Sequence, residues 1–201
     1  MADPSNIPVC VLAGGTSQRF GSDKALAPLG GRPLIDHVLR RIALQTRGPI
    51  IVNANAHESY SSLGTIILAD GEWRNVGPLA GVFSALVWAK EQGFETIATC
   101  AVDLPFIAGD FLSKLEAVGA PAIASSQGRW HPVNGQWTAD LSDQLDAYLS
   151  AGTRSAHGWA EACVAKPVEF EAEQGAPDPF WNVNTPSDMR IAERIWESLA
   201  E

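Results

Sequence analysis

The sequence predicts an α/β protein of three layers, with a mostly parallel central sheet covered by helices on both faces. Three observations carry that expectation. Residues 8–13 form a short, continuously apolar run that suits a strand buried on both faces, and residues 96–102 read as another central strand. Between them lie stretches whose apolar residues recur at helical spacing. Glycine and proline punctuate the two kinds of segment in regular alternation, which favours right-handed βαβ units.

Taken in order, residues 8–13 (PVCVLA) form the first buried strand, ended by Gly14-Gly15, and residues 15–31 are polar and rich in turn formers. Leu34, Ile35, Val38, Leu39 and Ile42 mark a helix over residues 33–45, with Pro33 where a helix tolerates it, in the first turn. Residues 49–52 and 65–68 read as strands, and Leu79, Val82, Phe83, Leu86 and Val87 supply the stripe of the next helix. Residues 96–102 give another central strand that ends at Asp103, followed by a helix marked by Phe111, Leu112, Leu115 and Val118 and a strand near residues 121–124.

After about Ser125 the rhythm loosens. Trp130, Val133 and Trp137 lie in a Gly/Pro-punctuated stretch that reads as an irregular or antiparallel excursion. Residues 140–150 look helical, residues 165–170 suit an edge strand, and residues 175–179 form a loop. The last helix is announced by Thr185 as N-cap, Pro186 at its first position and Asp188 at its third, with Met189, Ala192, Ile195, Trp196 and Leu199 at helical spacing. No linker divides the chain, so residues 1–201 are read as one domain.

Composition narrows the function. The formal net charge is −9, and the Lys and Arg residues are scattered without a basic stripe, which speaks against a nucleic-acid groove. A phosphate ligand remains compatible, because a few placed cations can serve one site in an acidic protein. Cys10, Cys100 and Cys163 are far apart and show no paired spacing, so core filling is expected of them rather than a disulfide or a metal. The first residues lack a signal-peptide pattern, and no apolar segment approaches the roughly 18 residues of a membrane span. A cytoplasmic protein without membrane partners is expected.

The strongest chemical signal is residues 12–24, LAGGTSQRFGSDK. The segment follows a buried strand, so it opens at the carboxyl edge of the sheet, where open α/β sheets bind ligands. Its glycines let backbone N–H groups approach phosphate oxygens, while Arg19 offers a bidentate fork and Lys24 a point charge. It is neither G-x-x-x-x-G-K-[ST] nor G-x-G-x-x-G. On these residues alone it is an anion-binding loop or a surface turn with incidental charges. Asp103, at the end of a strand on the same edge, either holds Mg²⁺ against a triphosphate or caps the turn before Leu104-Pro105.

The pattern L-A-G-G-x-S-x-R-[MF]-G-x-D-K-A resembles the signature of the molybdenum cofactor guanylyltransferases, within the wider Rossmann-like nucleotidyltransferases. The resemblance is specific over residues 9–33 and continues in order through Val52-Asn53-Ala54-Asn55, Ala69-Asp70, residues 77–81 (GPLAG), residues 102–106 (VDLPF) and residues 182–186 (NVNTP). It is weakest between about Ser126 and Asp178, and Phe20 stands where Met is commoner.

What the resemblance implies is transfer of GMP from GTP to molybdenum-molybdopterin, with Mg²⁺ as cofactor. The N-terminal half would bind GTP and Mg²⁺ and the C-terminal half the acceptor. Leu12, Ala13, Gly14, Gly15, Lys24, Asn53, Asp70 and Asp103 would contact GTP; Arg19, Lys24 and Asp103 would be catalytic; Asp103 would hold the metal; Asn182 and Asn184 would face the acceptor. Molybdoenzyme-maturation proteins are a further class of partner that the family suggests. Relatives that transfer CMP carry L-A-A-G, so the missing Cβ at Gly14 would leave room for the larger purine.

Each assignment has a plainer counterpart. Asn53, Asp70, Asn182 and Asn184 could serve only turns, and residues 77–81 could be an ordinary helix entry. Trp130 and Trp137 could stack on a flat pterin or fill the core, and His131-Pro132 lies where an acceptor could bind. A cytidylyl- or uridylyltransferase for another phosphorylated acceptor, and a nucleotide-binding module without turnover, are the alternative functions.

Overall fold

The computed structural model describes residues 4–14, 23–55, 57–172 and 175–200. The chain runs β1 (Val9–Leu12), a two-strand turn of β2 (Pro28–Leu29) and β3 (Arg32–Pro33), α1 (Leu34–Ala43), β4 (Ile50–Asn53), the single-turn α2 (His57–Tyr60) and β5 (Ile66–Leu68). It continues through α3 (Pro78–Glu91), β6 (Thr96–Ala101), α4 (Phe111–Val118), β7 (Ala122–Ser126), β8 (Arg129–Thr138), α5 (Leu141–Ser150), α6 (Ala156–Ala162), β9 (Lys166–Glu169) and α7 (Pro186–Ala200).

Among the described residues the main sheet has seven strands in the order β5-β4-β1-β6-β8-β7-β9. β1 lies between β4 and β6 and is parallel to both, with Val11 opposite Val52 on one side and Cys100 on the other. β8 is antiparallel to its neighbours β6 and β7, the excursion that the loosened sequence pattern predicts. β9 joins the edge parallel to β7.

Every residue of β1 is buried, because both sheet faces are covered. Side chains alternate between two cores. Val9, Val11, Val52 and Cys100 pack with α1 and α4, whereas Cys10, Leu12, Ile51 and Ile97 pack with α3, α5 and α6. A third cluster joins Leu29 and Leu34 to Met189 and Ala192, so α7 folds back over the β2–β3 turn.

The helix ends follow their sequence signals. Asp188 Oδ2 accepts from the amides of Asn184 (2.9 Å) and Thr185 (2.8 Å), while the Asp188 amide donates to Thr185 Oγ1 (3.1 Å), a reciprocal cap at the entry to α7. Gly77, at φ 98°, turns the chain into α3 with Pro78 at the first helical position. Ser155 caps the short α6, its Oγ accepting from the Gly158 amide at 3.0 Å, and Gly30-Gly31, at φ 55° and 77°, make the two-residue turn between β2 and β3.

Cys10 and Cys100 are fully buried core residues, as expected. Burial, and then the nearby Asp103, pushes the Cys100 thiol up to about 12, and burial likewise raises Cys10. A thiolate-dependent reagent at pH 8 should therefore leave both unreacted in the folded protein and label all three cysteines in denaturant. Prompt reaction of two or more thiols in the native state would contradict this packing.

Candidate active site

The carboxyl ends of β1, β4, β5 and β6 meet at one edge, where strand order reverses on either side of β1. Leu12 ends β1, and Ala13 and Gly14 emerge beyond it, with the Ala13 amide bonded to Asn53 O at 2.9 Å. Two adjoining cavities of about 490 Å³ and 280 Å³ open here and share Ala13, Gly14 and Pro78 in their walls.

The smaller cavity holds the Lys24–Asp103 ion pair. Lys24 sits on a single 3-10 turn, and its Nζ donates to Asp103 Oδ2 at 2.8 Å and to Asn184 Oδ1 at 3.1 Å, across 160 residues of sequence. Asn182 Nδ2 donates to the other Asp103 oxygen at 3.0 Å, and the Val183 amide donates to Asp103 O at 2.9 Å. The Lys24 and Asp103 side chains are 16% and 14% exposed, so their attraction is screened far less than that of a surface pair. Lys24, Asp103, Asn182 and Asn184 thus form one cluster.

The larger cavity has a polar wall that includes Asp23, Asp70 and Arg74. Asn53, 2% exposed, donates through Nδ2 to Asp70 Oδ1 (2.9 Å) and Leu68 O (3.2 Å). Asn55 clasps Asp70 from the other side: its Nδ2 donates to Asp70 Oδ2 at 2.6 Å, and its Oδ1 accepts from the Asp70 amide at 3.1 Å. Two glycines make room for this pair. A Cβ on Gly14 would stand 3.0 Å from Asn53 Oδ1, and one on Gly81 would collide with the same oxygen and come within 2.9 Å of Leu12 Cδ2. Helix α3 can approach β4 only because Gly81 has no side chain, which gives residues 77–81 a packing role beyond helix entry.

Sequence reasoning assigned no role to Asp23, Asn55 or Tyr60. Asp23 Oδ1 accepts from the Ala25 amide (3.1 Å), capping the turn that carries Lys24, and Oδ2 accepts from the Tyr60 hydroxyl at 2.6 Å. Tyr60 is almost fully buried; burial and then its bond to Asp23 hold the phenol protonated far above its ordinary range. A lone Tyr in a short polar stretch carries no periodic signal, so only the tertiary contact reveals it.

Other expected residues fall as follows. Gly15 and Arg19 lie outside the described residues. Trp137 is a correction to the pterin-stacking expectation: it is fully buried, packs against Trp159 and donates through Nε1 to Thr99 Oγ1 at 2.9 Å. Its position on β8 faces the second core rather than the cavities. Trp130 is partly buried against that same core. His37 is packed, with Nε2 at 2.8 Å from Leu29 O and its ring edge-on to Trp196.

Residues 9–165 match the model of the MobA-like NTP transferase domain. The chain belongs to this family. Among curated members, the molybdenum cofactor guanylyltransferase of Acidiphilium cryptum (strain JF-5) is 36% identical over 197 residues, covering 96% of this chain and 98% of its own. That of Rhodobacter capsulatus is 38% identical over 185 residues, covering 91% and 93%. Among solved structures, the molybdopterin-guanine dinucleotide biosynthesis protein A of Archaeoglobus fulgidus superposes with a TM-score of 0.73 at 25% identity, covering 96% of this chain and all of that one. The family's nucleotidyltransferase fold therefore extends over the C-terminal segment beyond residue 165 as well.

The Tyr60–Asp23 contact yields a stability prediction. Tyr60→Phe keeps the ring and removes a hydrogen bond to a buried-side carboxylate, which should cost about 1.5–3 kcal/mol in denaturant unfolding. A midpoint unchanged from wild type would show that the contact contributes nothing.

Proposed function

We propose that this chain transfers GMP from GTP to molybdenum-molybdopterin, forming molybdopterin guanine dinucleotide cofactor and releasing pyrophosphate. One observation carries the reading: Lys24, Asp103, Asn182 and Asn184 converge beside Gly14, next to a second cavity walled by Asn53 and Asp70. A compartment that presents the Lys24 cation, joined to a second polar one, suits a nucleoside triphosphate, and the similarity to named guanylyltransferases supplies the nucleotide and acceptor.

In this reading the terminal phosphate oxygen of the pterin attacks the α-phosphorus of GTP in line. The bond from that phosphorus to the oxygen bridging to the β-phosphate breaks, and pyrophosphate leaves with the electron pair. The attacking group is already an anion at neutral pH, so no strong general base is required. Lys24, aided by Arg19 and the amides of Gly14 and Gly15, neutralises charge that builds on the phosphates. Asn53 and Asp70 orient base or ribose groups, and Asn182 and Asn184 face the acceptor.

The residues present fit Mg²⁺. Asp103 Oδ2 and Asn184 Oδ1 already converge on one cationic head, and both are hard oxygen donors. Asp103 would hold the ion, which when bound supplies Lewis-acid polarisation of the phosphates. The reading places the reaction in the cytoplasm, with finished cofactor passing to molybdoenzyme-maturation proteins; no helix of the described residues is long and apolar enough to cross a membrane.

The test is product formation from GTP or CTP with molybdenum-molybdopterin. Wild type should form the guanine dinucleotide and leave CTP nearly untouched; equal use of CTP, or GTP binding without pyrophosphate release, would overturn the reading. Asp103→Ala and Lys24→Ala should each lower transfer by about 100-fold or more with the fold retained, since each removes a group facing the transition-state charge. Gly14→Ala presses on Asn53 Oδ1 and should lower the preference for GTP over CTP by about tenfold, the effect of one methyl group in a fitted pocket. An unchanged preference would separate Gly14 from base selection.

A further inference from the structure

Asn182 and Asn184 arrive at the site on a segment that no helix or strand supports: residues 175–185 are turns and irregular chain up to the start of α7. What holds this segment is a contact to the far half of the sheet. Phe180 is 1% exposed, stacks on His131 at 4.8 Å and meets Phe170 edge-on at 5.2 Å. Asp178 organises the turn before it, its Oδ1 accepting from the Phe180 amide (2.9 Å) and its main-chain oxygen from the Trp181 amide (3.0 Å). The other carboxylate oxygen accepts from Ser126 Oγ at 3.1 Å, and Ser126 Oγ lies 2.8 Å from His131 Nε2.

The proton positions follow from this arrangement. The hydroxyl gives its single proton to Asp178 Oδ2, so His131 donates through Nε2 to Ser126 Oγ. Burial pulls the His131 ring below its usual range, against the opposing pull of Asp178. The order His–Ser–Asp is the wrong one for a nucleophilic serine, whose proton would go to the histidine and whose aspartate would hold the histidine. Ser126 is also only 1% exposed. The trio is built to hold, not to react.

We propose that Ser126, His131 and Asp178 form a clasp that positions Asn182 and Asn184 against Asp103 and Lys24, so that these three residues act on the transfer step without touching either substrate. The Val183 amide, bonded to Asp103 O between the two asparagines, is the far anchor of the same segment. A displacement of about 1 Å at a reacting centre can cost two orders of magnitude in rate, so a clasp remote from the phosphates can matter to turnover. The proposal rests on Asn182 and Asn184 serving the acceptor side.

Three measurements on the full-length protein decide it: hydrogen exchange of peptides covering residues 180–185, GTP affinity, and kcat and KM for GMP transfer to molybdenum-molybdopterin. Ser126→Ala should speed exchange in that segment by tenfold or more, lower kcat by about tenfold or raise the acceptor KM by as much, and leave GTP affinity within twofold. Asp178→Ala, on the half-buried loop side, should do the same and serves if Ser126→Ala fails to fold. Asp178→Asn keeps an acceptor oxygen and should restore most of the activity. The double variant Ser126→Ala/Asn184→Ala should be no worse than Asn184→Ala alone. Unchanged exchange, additive losses, or an equal loss of GTP affinity would each overturn the clasp. Wild-type protein that transfers no GMP would overturn the functional reading instead, while the exchange rates would still decide the clasp.

Discussion

The Lys24 ammonium, held between Asp103 Oδ2 and Asn184 Oδ1, is the contact on which the rest of the candidate site depends. It draws three distant pieces of chain to one point: the turn after the glycine loop, the end of β6, and the entry to α7. A half-sheltered carboxylate beside a cation needs donors on both oxygens, and Asn182 supplies the second. Two oxygen acceptors converging on one positive charge are also the donor set that a hard metal ion takes. The Lys24 charge between them is the part of the cluster that suits a phosphate ligand.

The fold explains why that point exists. β1 is buried on both faces and flanked by parallel strands, so its carboxyl end must open into the crevice where strand order reverses. Asn53 ends β4, and Asp70 and Asp103 follow β5 and β6 by two residues, so each projects into that crevice. Close packing of α3 behind Asn53 depends on Gly81, and the reach of Asp70 on the paired bonds from Asn53 and Asn55. Beyond residue 4 of β6's ladder to β8, the Asn134 side chain takes over from the backbone, its Oδ1 accepting from the Ala101 amide at 2.7 Å. Sheet pairing therefore continues, through a side chain, to the edge of the charged cavity.

The two halves of the site differ in how they are held. The nucleotide side rests on strand ends and a capped turn, with the buried Tyr60 bracing Asp23 from below. The asparagine side hangs on an irregular segment whose order comes from aromatic stacking and one serine-centred chain of hydrogen bonds. Irregular chain can shift more readily than strand ends. On the proposed reading, strand ends hold the described residues of the donor side, and attachment to the far half of the sheet holds the acceptor side.

By itself the sequence determined the layers, the buried strands and the five longer helices, because apolar periodicity and the Thr185–Asp188 cap are local properties of consecutive residues. It also marked the residues from Leu12 to Lys24, together with Asn53, Asp70 and Asp103, because strand ends are readable and their residue types are chemically pointed. Only the tertiary structure decided the partners. That Lys24 meets Asn184, that Tyr60 braces Asp23, that Trp137 fills the core and not the cavity, and that Ser126 reaches Asp178 are contacts between residues far apart or on opposite faces of one strand. No local pattern encodes them, since they arise from how the strands are ordered and which face each one turns to the crevice.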